Sequence, residues 1–271
     1  MKTLKFVALA VLALLNMACV TVPTPDPKDP FESFNRAMFN LNDGVDTVLF
    51  KPLAQGYNAV MPQVAQDCVG NVFANLRVPF SAVNNVLQGK LQAACEDVAR
   101  FVVNTTFGLG GCFDVATQLN IPNHREDFGQ TLGSWGIPAG PYLVLPLLGP
   151  TNVRDTLAQF SPTDRDVIRQ NVGHVPTRNS AMGLRLIDFR ASLLKTTDAL
   201  EKMDVDKYSF VRNAHIARRQ NAVYDGDPPD EDAKTGSVGK SAPDINANSK
   251  DVKDIKDGVE SIFSTIRKIF R

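Results

Sequence analysis

DPFESFNRAMFNLNDGVDTVLFKP, residues 29–52, decides the fold class. Phe31, Phe34, Met38, Leu41, Val45 and Val48 follow at intervals of three, four, three, four and three residues, which draws one apolar stripe along an α-helix. Asp29 stands where an N-cap belongs, Pro30 suits the first turn, Glu32 favours the positive helix end, and Pro52 reads as the stop. Outward from it the same period returns. Residues 64–89 carry helical pieces interrupted by Pro79 and closed by Gly89. Leu91, Ala94, Cys95, Val98, Phe101 and Val102 form a second stripe, which Gly108, Gly110 and Gly111 end. Helices resume between Val153 and Val223, with Met182, Leu186, Phe189 and Leu193 on one stripe and Tyr208, Val211, Ala214 and His215 on another. β-Branched residues fall on helical spacing rather than in alternation, so no strand is expected and the fold class is all-α.

One stretch departs from this pattern. Residues 129–150, GQTLGSWGIPAGPYLVLPLLGP, contain too many glycines and prolines for a regular helix, yet they hold Leu143, Val144, Leu145, Leu147 and Leu148. Irregular apolar backbone of this length leaves polar groups unsatisfied unless protein buries it or it lines a cavity. It is either a long loop packed over the core or the wall of a passage.

The two ends of the chain have their own character. Lys2 and Lys5 precede an apolar run from Phe6 to Leu15, too short to span about 30 Å of hydrocarbon, and a small residue, Ala18, precedes Cys19. The arrangement resembles a bacterial lipobox and reads as a lipoprotein signal peptide, residues 1–18, with Cys19 as the lipidation site; an ordinary signal peptide that happens to contain a cysteine is the alternative. Asn16 departs from the Leu usual three places before such a cysteine. Val20, rather than Asp, follows the cysteine, which fits export onward to an outer membrane. Residues 19–30 alternate proline with polar residues and read as an extended tether. At the other end, 225–250 is rich in Asp, Pro, Gly, Ser and Asn and reads as a disordered linker. Residues 251–271 form an amphipathic helix that could lie on anionic lipid, dock on a partner or fold back.

Composition excludes several functions. The chain has 29 basic and 29 acidic residues, far from the basic footprint of a nucleic-acid binder. After Cys19 the remaining cysteines are Cys68, Cys95 and Cys112, without the spacing of a metal site. Cys95 and Cys112 are far apart if 91–107 is one helix, so a bridge involves Cys68, with Cys95 the first choice and free thiols the alternative. His124, His174 and His215 match no H-E-x-x-H motif, and His124 in NHREDFG reads as part of a charge-paired loop. Ser134 in G-S-W-G lacks a nucleophile elbow, GLGG at 108–111 follows a helix and stops it, and Asp164 and Asp166 flank Arg165 as solvated charges. No cofactor and no catalytic residue are expected.

The motifs in order resemble the MlaA (VacJ) family of outer-membrane lipoproteins. Asp29–Asn42 resembles its opening signature, with Asn35, Arg36, Phe39 and Asn42 in the matching places. SAVNNVLQGK (81–90), RFVVNTTFGLGG (100–111) with FDVAT (113–117), EDFGQTLGSWGIPAGPYLVLPLLGP (126–150), Arg154 with Asp155, and YSFVRNAHIARR (208–219) follow. The resemblance covers about 29–220. It implies a ring-like helical body, 31–224, sunk in the inner leaflet of the outer membrane around an amphipathic channel. It also implies association with trimeric porins and hand-over of phospholipid to a periplasmic carrier of the MlaC type. The hairpin formed by Gly140, Pro141, Tyr142, Leu143, Leu145, Pro146, Leu147, Leu148 and Gly149 would line or gate that channel. A non-transporting scaffold between porins and periplasmic partners is the alternative, and a lipid-cleaving enzyme the third.

Overall fold

The computed structural model describes residues 29–161, 168, 172–203 and 205–229. The signal peptide, Cys19, the Asp164–Asp166 group, most of the 225–250 segment and the 251–271 helix lie outside the described residues. Ten α-helices, one π-helical turn and one small hairpin are the elements of the described residues. They are α1 (Glu32–Val45), a π-helical turn (Asp46–Phe50), α2 (Lys51–Val60), α3 (Gln63–Leu87), α4 (Leu91–Thr106), α5 (Val115–Gln118), α6 (Phe128–Ser134), β1 (Tyr142–Leu145), β2 (Gly149–Asn152), α7 (Val153–Ala158), α8 (Val175–Ser192), α9 (Leu194–Glu201) and α10 (Lys207–Val223).

Short polar side chains start several of these helices. Asp114, Asp127, Asn152 and Asp206 are the N-caps of α5, α6, α7 and α10, each accepting a backbone N–H of its first turn. Asp29 does not have that role. The residue flanking α1 is Phe31, and Asp29 is wholly buried. Nor does Pro52 end the first helix. A π-helical turn, closed by the Lys51 N–H on the Asp46 carbonyl, places Pro52 at the start of α2, where its missing N–H costs no bond. Pro79 lies inside α3, which runs on as one helix of 25 residues, about 37 Å.

α3 and α4 are joined by a tight turn at Gly89 (φ +78°) and pack against each other along their lengths. Their shared face is polar. Asp97 is fully buried and accepts Ser81 Oγ at 2.7 Å and Asn85 Nδ2 at 2.9 Å, while Arg100 and Asn104 both hold Asp114. The apolar stripe of α4 points the other way: Leu91, Cys95, Val98 and Val102 are exposed. The same inversion runs through the described residues, where sixteen buried residues are polar or charged against twelve that are hydrophobic. A water-soluble globule does the opposite.

The antiparallel turn also settles the cysteines. Cys95, near the start of α4, lies beside the end of α3, whereas Cys68 lies near the start of α3. After α4 the GLGG turn brings the chain back, with Gly111 so close to Asn75 that a Cβ would lie 2.6 Å away. The bridge is therefore Cys68–Cys112, not Cys68–Cys95, and Cys95 is a free exposed thiol. It closes a loop of 44 residues, for which chain entropy gives about 4 kcal/mol. Replacing both cysteines with serine should lower Tm by several degrees, and in the native protein only one thiol should react with maleimide. An unchanged Tm, or two reactive thiols, would contradict the bridge.

Candidate functional site

β1 and β2 pair antiparallel with Tyr142 opposite Asn152 and Leu145 opposite Gly149. The Gly/Pro-rich stretch is thus a true β-hairpin, and the expectation of no strand is corrected. Tyr142 and Val144 are buried while Leu143 and Leu145 are half-buried, so burial alternates although all four residues are apolar. The sequence hid the strand for that reason, and because β2 (GPTN) is poor in strand-forming residues.

Two asparagines of α1 hold the hairpin. Asn35 Nδ2 donates to the Tyr142 carbonyl at 3.0 Å, and its Oδ1 accepts the Val144 N–H at 2.9 Å. Seven residues on, Asn42 Nδ2 donates to the Leu145 carbonyl at 2.9 Å and its Oδ1 accepts the Leu147 N–H at 2.7 Å. Seven residues are two helical turns, so both amides project from one face and act as a neighbouring strand for β1. Asn42 in this way fixes Leu147 at φ +62°, a conformation unfavourable for leucine. Leu147 and Leu148 project from the tip, 67 % and 70 % exposed.

Asn35 is in turn set by Asp29, whose Oδ1 accepts from it at 2.7 Å; the other carboxylate oxygen accepts from Tyr208 Oη and from Arg212 at 3.2 Å. Burial and the Asp29 carboxylate raise the Tyr208 phenol well above its ordinary range. Arg36 meets Asp206 at 2.6 Å and stacks 4.4 Å from the Tyr208 ring, against which Phe39 packs edge-on. Asn35, Arg36, Phe39 and Asn42 therefore converge on the joint between α1, the hairpin and α10. No local pattern marks Asp29, Tyr208 and Arg212 as a buried unit, because Asp29 lies 179 and 183 positions from the other two in the chain.

Beneath the hairpin lies a cavity of about 240 Å³. Phe39, Val144, Leu193, Leu200 and Val211 make it mainly apolar, and its lining also contains the ion pair between Arg190 and Asp46, closed at 2.6 and 2.7 Å. Of the predicted hairpin residues, Gly149 lines this cavity directly.

A second joint holds the hairpin's far strand. Arg219 binds Asp127 and Asp155, and Asp155 also binds Arg154. Gly129 and Gly133 leave room for it: a Cβ would lie 2.4 Å from Asp155 and 2.7 Å from Arg154 respectively. In the loop carrying His124 the partners lie outside the loop, His124 meeting Glu96 and Glu126 meeting Lys90, and Arg125 makes no ion pair among the described residues. Ser134 bonds a local carbonyl, His174 bonds Thr177, and among the described residues no group of His, Cys, Asp or Glu is placed to hold a metal.

The family model described as MlaA lipoprotein matches residues 27–222, which contain both joints and the hairpin. The chain belongs to the MlaA lipoprotein family. It is 32 % identical over 251 residues to the intermembrane phospholipid transport system lipoprotein MlaA of Escherichia coli K12, covering 90 % of this chain and 99 % of the relative. The MlaA of Haemophilus influenzae is 34 % identical, covering 83 % and 92 %. An uncharacterized protein of Rickettsia bellii is also 34 % identical, covering 72 % and 77 %. A solved structure presented as the structural basis for maintenance of bacterial outer membrane lipid asymmetry superimposes with a TM-score of 0.63 at 31 % identity, over 72 % of this chain and 98 % of that one. The mostly helical MlaA fold is thus shared.

Replacing Asn35 with leucine should cost about 3 kcal/mol, since it leaves a backbone donor, a backbone acceptor and one carboxylate oxygen of Asp29 without a partner. Asn42→Ala should cost about 1 kcal/mol and speed hydrogen exchange at Leu147, read by NMR or mass spectrometry. Equal stability of Asn35→Leu and the parent would refute the clamp.

His215 supplies a pH test. Its Nε2 is buried without a hydrogen-bond partner, and burial, then the Arg218 and Arg219 charges, push its pKa down to about 4. An unfolded histidine titrates near ~6.5. The unfolded chain takes up a proton that the fold refuses, so stability is full above that value and falls as pH drops towards 4. His215→Gln should flatten the Tm profile over this window, and an unaltered slope would argue against the assignment.

Proposed function

We propose that this chain is an outer-membrane lipoprotein that takes mislocalised phospholipid from the outer leaflet and passes it to a periplasmic carrier, so maintaining lipid asymmetry. The observation that carries this reading is the inversion of polarity. Large side chains such as Val48, Leu53, Val60, Val64, Val98, Val102, Leu157 and Phe160 face outward while polar groups pair inside. Such a body suits a setting of hydrocarbon outside and headgroups within. Among the described residues no helix is long and apolar enough to cross a membrane, which fits a body seated in one leaflet. Cys19 is the acylation site, and residues 19–30 tether it to the body.

The physical task is to move a charged headgroup across hydrocarbon. Burying unpaired charge costs several kcal/mol, and a passage with polar walls and apolar sides lowers that barrier without setting direction. Direction comes from the acceptor's affinity or from ATP hydrolysis elsewhere. The cavity under the hairpin, at about 240 Å³, is below the roughly 300 Å³ where small-molecule pockets begin, so it suits transit of part of a lipid rather than storage of a whole one. The hairpin tip at Leu147 and Leu148 is its gate. Trimeric porins are the partners in the membrane, and a carrier of the MlaC type is the acceptor. The 251–271 helix is a contact element for acceptor or membrane surface.

The deciding experiment follows tagged phospholipid from vesicles holding the full-length lipidated protein to a soluble carrier. Leu147→Asp or Leu148→Asp should slow transfer about tenfold, equivalent to 1.4 kcal/mol of barrier, at normal protein levels. Unchanged transfer would favour a passive scaffold between porins and periplasmic partners. Release of lysophospholipid or fatty acid would instead reveal an enzyme.

A further inference from the structure

Guanidinium groups in this fold are generally matched to carboxylates. Arg36 meets Asp206 at 2.6 Å, Arg100 meets Asp114 at 2.9 Å, Arg190 meets Asp46 at 2.6 Å and Arg219 meets Asp127 at 2.6 Å. Arg77 and Arg125 do not follow this pattern. Both are exposed, and neither side chain has a hydrogen bond or ion pair among the described residues.

Backbone anchoring brings the two together. The His124 N–H donates to Asp97 of α4 at 3.3 Å and the Glu126 N–H donates to Ser81 Oγ of α3 at 3.0 Å, so the segment carrying Arg125 is pinned across the seam of the two helices, beside Ser81. Arg77 precedes Ser81 by one helical turn, with about 5–6 Å between their Cβ atoms. Burial lowers the Arg125 guanidinium, and the Arg77 and Arg100 charges lower it further against Asp114.

No nearby carboxylate is left for either arginine. Asp114 is held by Arg100, Glu126 by Lys90 and Asp127 by Arg219. Two like charges on neighbouring positions repel, and their forked donors want anionic, multi-oxygen acceptors. A phosphate offers that match through paired N–H···O bonds, which lysine cannot reproduce. We propose that Arg77 and Arg125 form a binding site for a phosphate group, taken from the phosphodiester of a phospholipid in transit or from free phosphate.

The lipid source rests on the transport reading above. In that setting the site is a headgroup station on the wall where α3, the 119–127 segment and α6 meet. It favours anionic lipids over zwitterionic ones, because the attached amine of the latter finds no unpaired carboxylate here.

The test uses the full-length lipidated protein in nanodiscs, titrated with dihexanoyl phosphatidylglycerol and, separately, with inorganic phosphate. Arg77→Gln/Arg125→Gln should weaken phosphate-group binding by at least about tenfold, and Arg77→Lys/Arg125→Lys should recover only part of it. Tm should stay within about 2 °C of the parent, because the side chains are exposed and unpaired. Lipid binding that inorganic phosphate does not displace identifies the headgroup as ligand. Displacement at matching concentration identifies free phosphate, and either result supports the site. Equal binding of both probes by the parent and the double glutamine variant would overturn it. Parent protein that transfers lipid at the variant's rate, with binding also unchanged, defeats this inference alone. Parent protein that transfers nothing, while the variant still loses phosphate binding, defeats the transport reading and leaves the site standing.

Discussion

A carboxylate with no surface left to water, that of Asp29, ties together the start of α1, the hairpin and α10. A charge so placed persists only if all its neighbours stay in register, because losing one partner leaves an uncompensated charge in a poorly solvating site. Asn35 and Arg212 supply donors from opposite sides, and Asn35 passes the constraint to β1. The hairpin is thereby positioned by the body rather than by its own two strands, which alone would be marginal. The half-buried Arg219–Asp155 contact does the same for the segment that follows β2.

This polar interior explains the apolar exterior. Where helices meet through Asp97, Ser81, Asn85 and Arg100, the hydrophobic stripe of each must find another environment. Hydrogen bonds between helices give a geometric specificity that apolar packing alone does not. A fixed polar framework thus holds a small apolar hairpin above a cavity.

The stripes at 31–48 and 91–102 were legible because helical period survives whichever way the face points. Their direction was not legible, since a period records amphipathicity and not which side is solvent. Asn35 and Asn42 could be placed through family motifs, and their equal spacing was visible. Their partner was not, because a strand of four consecutive apolar residues gives no alternation. Asp29 was misread as a cap because aspartate before a helix usually is one, and only distant Tyr208 and Arg212 turn it inward. Pro52 was misread as a stop because a π-helical turn absorbs it without any local signature. The cysteine pairing failed for a related reason: spacing excluded Cys95–Cys112, but only the antiparallel run of α3 and α4 separates Cys68 from Cys95.

That last arrangement bears on how the chain matures. Of the three pairings open to Cys68, Cys95 and Cys112, the native one joins the two residues farthest apart in sequence. Shorter loops close more readily in an unstructured chain, so oxidation ahead of helix formation favours the two wrong bridges. Once α4 has coiled, Cys95 is carried to the outer face and taken out of the competition. Correct assembly is therefore a race between helix growth and thiol chemistry, and any cell making this protein must either let the helices win or reshuffle the losers.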